Sequence, residues 1–110
     1  MFAKKNRLSK TRDVQAVFAG GRVFFNPYFS LKAKKNGVIP RFTVVVSTKV
    51  SKKAVHRNRI KRVIREFLKL KTTLIFPADY VVIVKPAMTK LSEKLAIDSL
   101  ENLMLKARIL

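Results

Sequence analysis

The sequence predicts an α+β protein, a two-layer sandwich in which three helices cover a small mixed sheet of about four strands. Apolar residues recur at helical spacing in three separate segments, and β-branched or continuous apolar runs lie between these segments. Their order along the chain is helix, strands, helix, strand, helix, which suits helices packed against one sheet. The 110 residues are 48% hydrophobic, so we expect a single domain, residues 1–110, with a real core.

The first half of the chain begins with a basic segment, residues 1–9, that we expect to be irregular and flexible. The elements predicted after it are a helix over 11–19, strands over 23–26 and 28–33, a turn over 34–37 and a strand over 41–48. Gly20 and Gly21 end the helix, and Pro27 favours a bend between the first two strands. The Asn-Gly pair of the turn suits a tight hairpin, because glycine readily adopts positive φ.

The second half predicts two long helices on either side of one strand. The helices cover about 52–71 and 90–105, with Ser92 or Thr89 as the cap of the second. A connection over 74–79 leads into the strand at 80–84. That strand is an uninterrupted apolar run, which indicates a position in the centre of the sheet.

The helix predicted over 52–71 carries most of the functional signal. Ten of the 23 residues in 49–71 are Lys or Arg. A basic stripe recurs every four positions and consists of Lys53, Arg57, Lys61, Arg65 and Lys69. A second set is spaced to meet a core, and it consists of His56, Ile60, Val63, Ile64 and Phe67. Like charges at this density destabilise an isolated helix, which indicates a polyanionic partner.

The whole chain is strongly basic, with a formal net charge of +19. A small domain usually carries a net charge of about 2–8 in magnitude, so this value indicates a phosphate polymer as partner and salt-dependent binding. A membrane surface is the competing partner. The chain has no cysteine, no signal peptide and no apolar run long enough to span a bilayer, so we expect a soluble cytoplasmic protein.

Side chains suited to catalysis are scarce, since the sequence has one His and six acidic residues. We therefore predict no catalytic residue and no metal ligand in the polypeptide. Nucleic-acid chemistry is better supplied, because arginines can bind phosphate oxygens in pairs and lysines add point charges. Asn58, between two arginines, can bind a phosphate or a base edge, or it can cap the start of the helix. Among the clustered aromatic residues, Phe18 is the one most suited to stack on an unpaired base.

The segment 54–62, Ala-Val-His-Arg-Asn-Arg-Ile-Lys-Arg, resembles the Arg-Asn-Arg signature of the bacterial ribonuclease P protein subunit. The resemblance extends to Asn6-Arg7-Leu8, to Val17-Phe18, to 44–47 with Lys49, and to 79–86. It covers nearly the whole chain.

This resemblance implies a left-handed crossover that links two parallel strands through the basic helix. It also implies that the protein binds a catalytic RNA and helps it remove the 5′ leader from precursor tRNA, as a non-catalytic subunit of an endoribonuclease. In the family, Mg²⁺ ions held by the RNA carry out the hydrolysis, and the protein is expected as a monomer in the holoenzyme.

The resemblance assigns site residues to two surfaces. The residues expected to meet the catalytic RNA are Lys52, Lys53, Arg57, Asn58, Arg59, Lys61, Arg62, Arg65 and Lys69. The residues expected in a cleft for the single-stranded leader are Val14, Phe18, Tyr28 and Lys32. Val14 and Lys32 stand where relatives often carry aromatic residues, so we expect less stacking there and a phosphate contact from Lys32 instead.

Two other functions remain open at this point. If the chain is a ribosomal or RNA-chaperone protein, we also expect salt-dependent RNA binding, but no preference for precursor over mature tRNA. A membrane-active basic protein predicts binding to anionic vesicles.

Overall fold

The computed structural model describes residues 4–110 and confirms an α+β fold with three helices and a four-stranded mixed sheet. The helices are α1 (Thr11–Gly20), α2 (Ala54–Lys71) and α3 (Glu93–Lys106). The strands are β1 (Arg22–Phe25), β2 (Phe29–Lys35), β3 (Arg41–Val45) and β4 (Ala78–Val84). Short 3-10 turns cover Lys4–Asn6, Thr72–Leu74 and Pro86–Lys90.

The sheet has the strand order β1-β2-β4-β3. β1 pairs antiparallel with β2, β2 pairs antiparallel with β4, and β3 pairs parallel with β4. The helix α2 connects the two parallel strands, as the resemblance implies. The left hand of this crossover stays an expectation from the family.

β4 is the central strand, as its continuous apolar sequence predicts. Val82 lies opposite Leu31 of β2 and Val44 of β3, and all three side chains are buried. Successive side chains of a strand point to opposite faces, so β4 contributes to two clusters. Tyr80, Val82 and Val84 belong to the main core with α2 and α3, whereas Val81 packs with Leu8 and Val17 beneath α1. The sheet therefore separates α1 from the other two helices.

The turn after β2 differs from the tight hairpin that the Asn-Gly pair indicates. Gly37 does have a positive φ of 72°, but β2 and β3 are not neighbours, because β4 lies between them. The Asn36 amide donates to the Ile39 carbonyl at 2.9 Å and to the Asp79 carboxylate at 2.6 Å, which fixes a wider connection. The hairpin is instead formed by β1 and β2 across Pro27.

The ends of the helices follow their sequence signals in part. Ser92 caps α3, since its hydroxyl accepts a hydrogen bond from the Leu95 N–H at 3.2 Å. α1 ends at Gly20, and a Cβ on Gly21 would lie 2.4 Å from the Val17 carbonyl oxygen, so only glycine fits there. At the end of α3, Arg108 adopts a positive φ of 59°.

The N-terminal segment is packed on the sheet from residue 4 onward, rather than irregular as expected. Asn6 is buried and its amide donates to the Pro40 carbonyl at 2.8 Å, while Arg7 forms a parallel bridge with Phe42. The Leu8 side chain is buried beneath α1. The remainder of the predicted flexible segment, residues 1–3, lies outside the described residues.

Candidate nucleic-acid interface

α2 presents one exposed face along its length, formed by residues spaced i, i+4, i+7 and i+11. The residues of this face, all exposed, are Asn58, Arg62, Arg65 and Lys69. The opposite face is anchored in the core by Ile64, Phe67 and Leu68. Because these three side chains are buried, the polar and charged face of α2 points to solvent.

The loop before α2 is held by Arg57. Its side chain is half-buried, and its guanidinium donates to the Ser51 carbonyl at 2.9 Å. This hydrogen bond fixes the backbone that carries Lys52 and Lys53, which are both exposed. Arg57 thus organises part of the basic surface in addition to adding charge to it.

Among residues 4–110, no side chain caps the start of α2. Asn58 in particular makes no side-chain hydrogen bond with another described residue, so the capping role that the sequence left open is not observed. The amide remains exposed beside Arg62. The first turn of the helix therefore offers its N–H groups and a positive dipole end to solvent, next to Lys53.

Arg59 lies on the flank of α2 that faces α3. Its guanidinium donates twice to the Glu93 carboxylate, at 2.9 and 3.2 Å. Both side chains are more than half exposed, so the pair is in contact with solvent and contributes about 1 kcal/mol or less to stability. The two arginines of the signature therefore have different partners, Arg57 in its own loop and Arg59 on another helix.

His56 is exposed, which corrects the prediction that it packs against the core. α2 begins at Ala54, and its first turn extends beyond the part of the helix that the core covers. Ile60 is the first apolar residue of α2 that packs against the main core. Helical spacing places His56 on the same side of the helix as the core-facing residues. It does not show that packing against the core begins only at Ile60.

Three of the four residues that the resemblance assigns to a leader cleft line a cleft beside α1. The Phe18 ring is 45% exposed, and the Lys32 Nζ lies 4.4 Å from its centroid. Val14 is half-buried against Leu8 and Val17, so it supports the wall of the cleft. These contacts bring three of the four predicted cleft residues to one face of the sheet.

Tyr28, the fourth predicted cleft residue, lies on the other face of the sheet. Its ring packs against the main core and lines a groove with Leu91 and Leu95 near α3. Pro27 precedes Tyr28 at the bend between β1 and β2, and the bend directs the ring to that face. The structure therefore does not bring Tyr28 together with Phe18 and Lys32.

Three residues that the sequence did not assign extend the cleft. Val23 lies opposite Lys32 and Phe25 lies opposite Ser30 across the hairpin, so both apolar side chains share the Lys32 face. They are 52% and 70% exposed. Lys85 donates to the Asn26 carbonyl at 2.7 Å, and its Nζ lies 5.1 Å from the Phe25 centroid. The β1–β2 register places Val23 and Phe25 on the Lys32 face, and the sequence alone does not reveal this register.

Asp13 and Asp79, two acidic residues at the α1 end of the sheet, both pair with Arg41. Arg41 donates two hydrogen bonds to the Asp79 carboxylate, both at 2.7 Å, and lies 3.5 Å from Asp13 of α1. The hydrogen bond with Asp79 is the main reason that the pKa of Arg41 is raised, and burial opposes it. This cluster connects α1 to β3 and β4. Because Arg41 holds the Asp79 carboxylate, that carboxylate does not pair with Lys32.

Within residues 4–110, no group of three or more His, Asp or Glu side chains is placed to hold a metal ion. None of the described helices is both long and apolar enough to cross a membrane.

Comparisons with known proteins agree with the motif. The family model for ribonuclease P matches residues 2–108. The chain is 37% identical over 106 residues to the ribonuclease P protein component of Chromobacterium violaceum, covering 96% of this chain and 88% of the relative. It is 37% identical over 113 residues to the component from Pseudanabaena, covering 100% of this chain and 97% of the relative.

Solved structures show the same similarity. A Staphylococcus aureus RNase P protein mutant with defective mRNA degradation activity superimposes with a TM-score of 0.90 at 31% identity, covering 97% of this chain and 92% of that one. The RNase P protein from Thermotoga maritima gives a TM-score of 0.78 at 31% identity, covering 89% and 94%.

Proposed function

Because this chain belongs to the ribonuclease P protein family, we propose that it binds the catalytic RNA of ribonuclease P and the 5′ leader of precursor tRNA. By binding both, it promotes endonucleolytic removal of the leader in the cytoplasm. The observation that supports this most directly is the presence of two different surfaces on opposite sides of one small sheet. A row of exposed basic side chains lies on α2, and a cleft with an exposed aromatic ring and a lysine lies beside α1.

The exposed face of α2 suits a folded RNA. Its arginines can each present two donors to a phosphate, and Lys69 adds a point charge one turn further along. The loop fixed by Arg57 adds Lys52 and Lys53 at the end of the helix. This row of cations follows a rigid helix, so it can match phosphates at fixed positions on a structured partner.

The cleft suits a single strand. An unpaired base can stack on the exposed side of Phe18, and Lys32 can contact the adjoining phosphate. The apolar side chains of Val23 and Phe25 continue this wall. Mg²⁺ held by the RNA supplies the hydrolytic chemistry in this proposal, while the protein binds and orients the substrate and neutralises charge.

The decisive experiment is cleavage of precursor tRNA by a bacterial ribonuclease P RNA at low magnesium, with and without the protein. We expect the protein to restore cleavage at the mature 5′ end, and we expect an Arg62→Ala/Arg65→Ala variant to lose most of this effect. These two side chains are exposed, so the variant should still fold. A Lys90→Ala/Lys94→Ala variant is the matched control, because it removes two exposed charges outside both surfaces.

Equal binding of precursor and mature tRNA by the holoenzyme would contradict the assignment of the cleft to the leader. RNA binding without restored cleavage, with the cognate RNA, would favour a general RNA-binding or chaperone protein. Binding to anionic vesicles at physiological salt, without RNA-dependent activity, would favour the membrane-active alternative.

A further inference from the structure

A second basic groove, with a volume of about 670 Å³, lies at the end of the sheet where β1 begins and β2 ends. The turn that follows α3 forms its other wall. Five exposed cations line it: Arg22, Lys34, Lys35, Lys106 and Arg108. Among its described lining residues there is no Asp or Glu, and none of the five cations forms an ion pair with residues 4–110. We call this surface the terminal groove.

Aromatic rings lie among these cations. The Arg22 guanidinium lies 5.6 Å from the Phe24 centroid, and the Lys35 Nζ lies 5.9 Å from the Phe76 centroid. Phe76 is 47% exposed. Cations that bind phosphates next to ring faces that accept bases are the combination by which proteins bind single-stranded nucleic acid.

One of these cations, Arg108, occupies a backbone position that favours glycine. After α3, the Ile109 N–H donates to the Met104 carbonyl and the Arg108 N–H donates to the Leu105 carbonyl, both at 3.1 Å. This pattern is a Schellman motif, and its left-handed residue is Arg108 with φ 59°. Glycine adopts this conformation without the Cβ strain that arginine carries, so helix termination does not explain the arginine.

We propose that the terminal groove binds single-stranded RNA, and that its occupant is the upstream part of the precursor leader. The two surfaces lie on opposite faces of the sheet and meet at its end, because Arg22 and Lys35 alternate to the face away from Lys32. Lys34 follows Lys32 by two residues on the same face of β2, and the Lys34 side chain lies against Gly20 at the end of α1. A strand that leaves the cleft at Phe18 therefore passes this lysine as it turns around the end of the sheet towards Arg108. The assignment to the leader rests on the proposed function.

The test uses the reconstituted holoenzyme and precursor tRNAs whose leaders are lengthened one nucleotide at a time. We expect affinity to rise with leader length in wild type. With Arg108→Gly, we expect the short leaders to bind as in wild type and the longest leaders to bind roughly threefold to tenfold more weakly, with a salt slope lower by about 0.7. Arg108→Lys keeps the charge and should retain the gain from the long leader.

Thermal melting separates binding from folding. Arg108→Gly should melt at the same temperature as wild type or higher, because glycine suits the cap. Lys94→Ala, which removes one charge from the other end of α3, should leave the dependence on leader length unchanged. Equal binding of every leader by Arg108→Gly and wild type would refute the groove as an RNA site.

Two further outcomes would overturn the assignment to the leader. A loss of affinity in Arg108→Gly that is the same for the shortest and the longest leader would show that the groove binds a different RNA segment. A wild-type holoenzyme with no dependence on leader length at all would refute the proposed function itself, independently of Arg108.

Discussion

At the scale of single residues, the ionic partners of the signature arginines determine how much of their charge is available to RNA. Arg57 donates to a carbonyl of its own loop, which leaves its charge unneutralised. Arg59 is instead paired with Glu93, so in the proposed function RNA competes with a carboxylate for its guanidinium. The two arginines have the same residue type and the same motif, yet the structure gives them different electrostatic roles.

Replacing Glu93 tests this competition. Glu93→Gln removes the carboxylate that holds Arg59, and we expect RNA affinity to rise roughly twofold to fivefold. The free energy of unfolding should change by less than about 1 kcal/mol, because the pair is exposed. Filter binding at constant salt and a denaturant titration measure the two quantities.

Glu101→Gln is the matched control for this experiment. It removes one negative charge from the same helix, where Glu101 lies 3.5 Å from Lys71 rather than from a signature residue. If both variants raise affinity equally, the gain comes from net charge and not from release of Arg59.

Tyr80 gives the protein a predictable response to alkaline pH. Burial raises the pKa of its hydroxyl above the usual 10.0, and this hydroxyl donates to the Phe76 carbonyl. The folded state therefore keeps the proton while the unfolded state loses it. The stability associated with the neutral ring is complete below pH 10 and is lost as pH rises from there towards the raised pKa, by at most about 1.4 kcal/mol per pH unit.

Thermal melts between pH 8 and about 11 measure this effect. We expect Tyr80→Phe to start from a lower melting temperature, because it loses the hydrogen bond, and to show a shallower decline above pH 10. Tyr28→Phe is the control, since Tyr28 is the other tyrosine in the chain and is only half-buried. Parallel declines in wild type and Tyr80→Phe would contradict the role of Tyr80.

At the scale of the elements, the sequence predicts what depends on local pattern and misses what depends on register. The three helices, the four strands and the central place of β4 follow from periodicity and apolar runs. The placement of Tyr28 and Phe25 does not, because both depend on how the chain bends at Pro27 and pairs across the hairpin. Likewise, Asn36-Gly37 gives the correct φ at the glycine, but its sequence does not show that another strand will separate β2 from β3.

Two adjacent glycines lie at the end of α1, and only Gly21 lies where a side chain would clash with neighbouring backbone atoms. Gly21→Ala would place a Cβ 2.4 Å from the Val17 carbonyl oxygen and 3.0 Å from that of Ala33, so α1 must move away from β2. We expect a loss of about 2–4 kcal/mol in the free energy of unfolding. Cleavage of precursor tRNA should weaken as well, because Phe18 moves relative to Lys32.

Gly20→Ala is the internal control for this prediction. A Cβ at this position meets only the Lys34 Nζ, at 3.9 Å, and alanine is the better helix former. We expect a gain of up to about 1 kcal/mol. A denaturant titration of both variants checks the contrast, and equal stability of the two would contradict it.

At the scale of the whole molecule, a net charge of +19 is distributed over separate surfaces of different geometry. The sequence reveals the total charge, but it does not show that Lys34 and Arg108, far apart in the chain, line one groove. The fold converts an even distribution along the sequence into a row on α2, a cleft beside α1 and the terminal groove.

Salt dependence measures the contribution of each surface. We expect the logarithm of the RNA association constant to fall linearly with the logarithm of salt concentration. Arg62→Ala/Arg65→Ala should lower the magnitude of that slope by about 1.4–1.8, for two lost phosphate contacts. An unchanged slope would show that these arginines do not neutralise phosphates, whatever the change in affinity.

The central position of β4 has a consequence for biosynthesis. β2 and β3 have no contact as neighbouring strands until residues 78–84 are inserted between them, so the first two-thirds of the chain cannot complete its sheet. During translation, α1, the β1–β2 hairpin and the basic helix therefore leave the ribosome before β4, the strand that they pack against or pair with, has been made. The signature helix can pack against β4 only after the strand that follows it has emerged, so the surface that we propose to bind RNA forms late in translation.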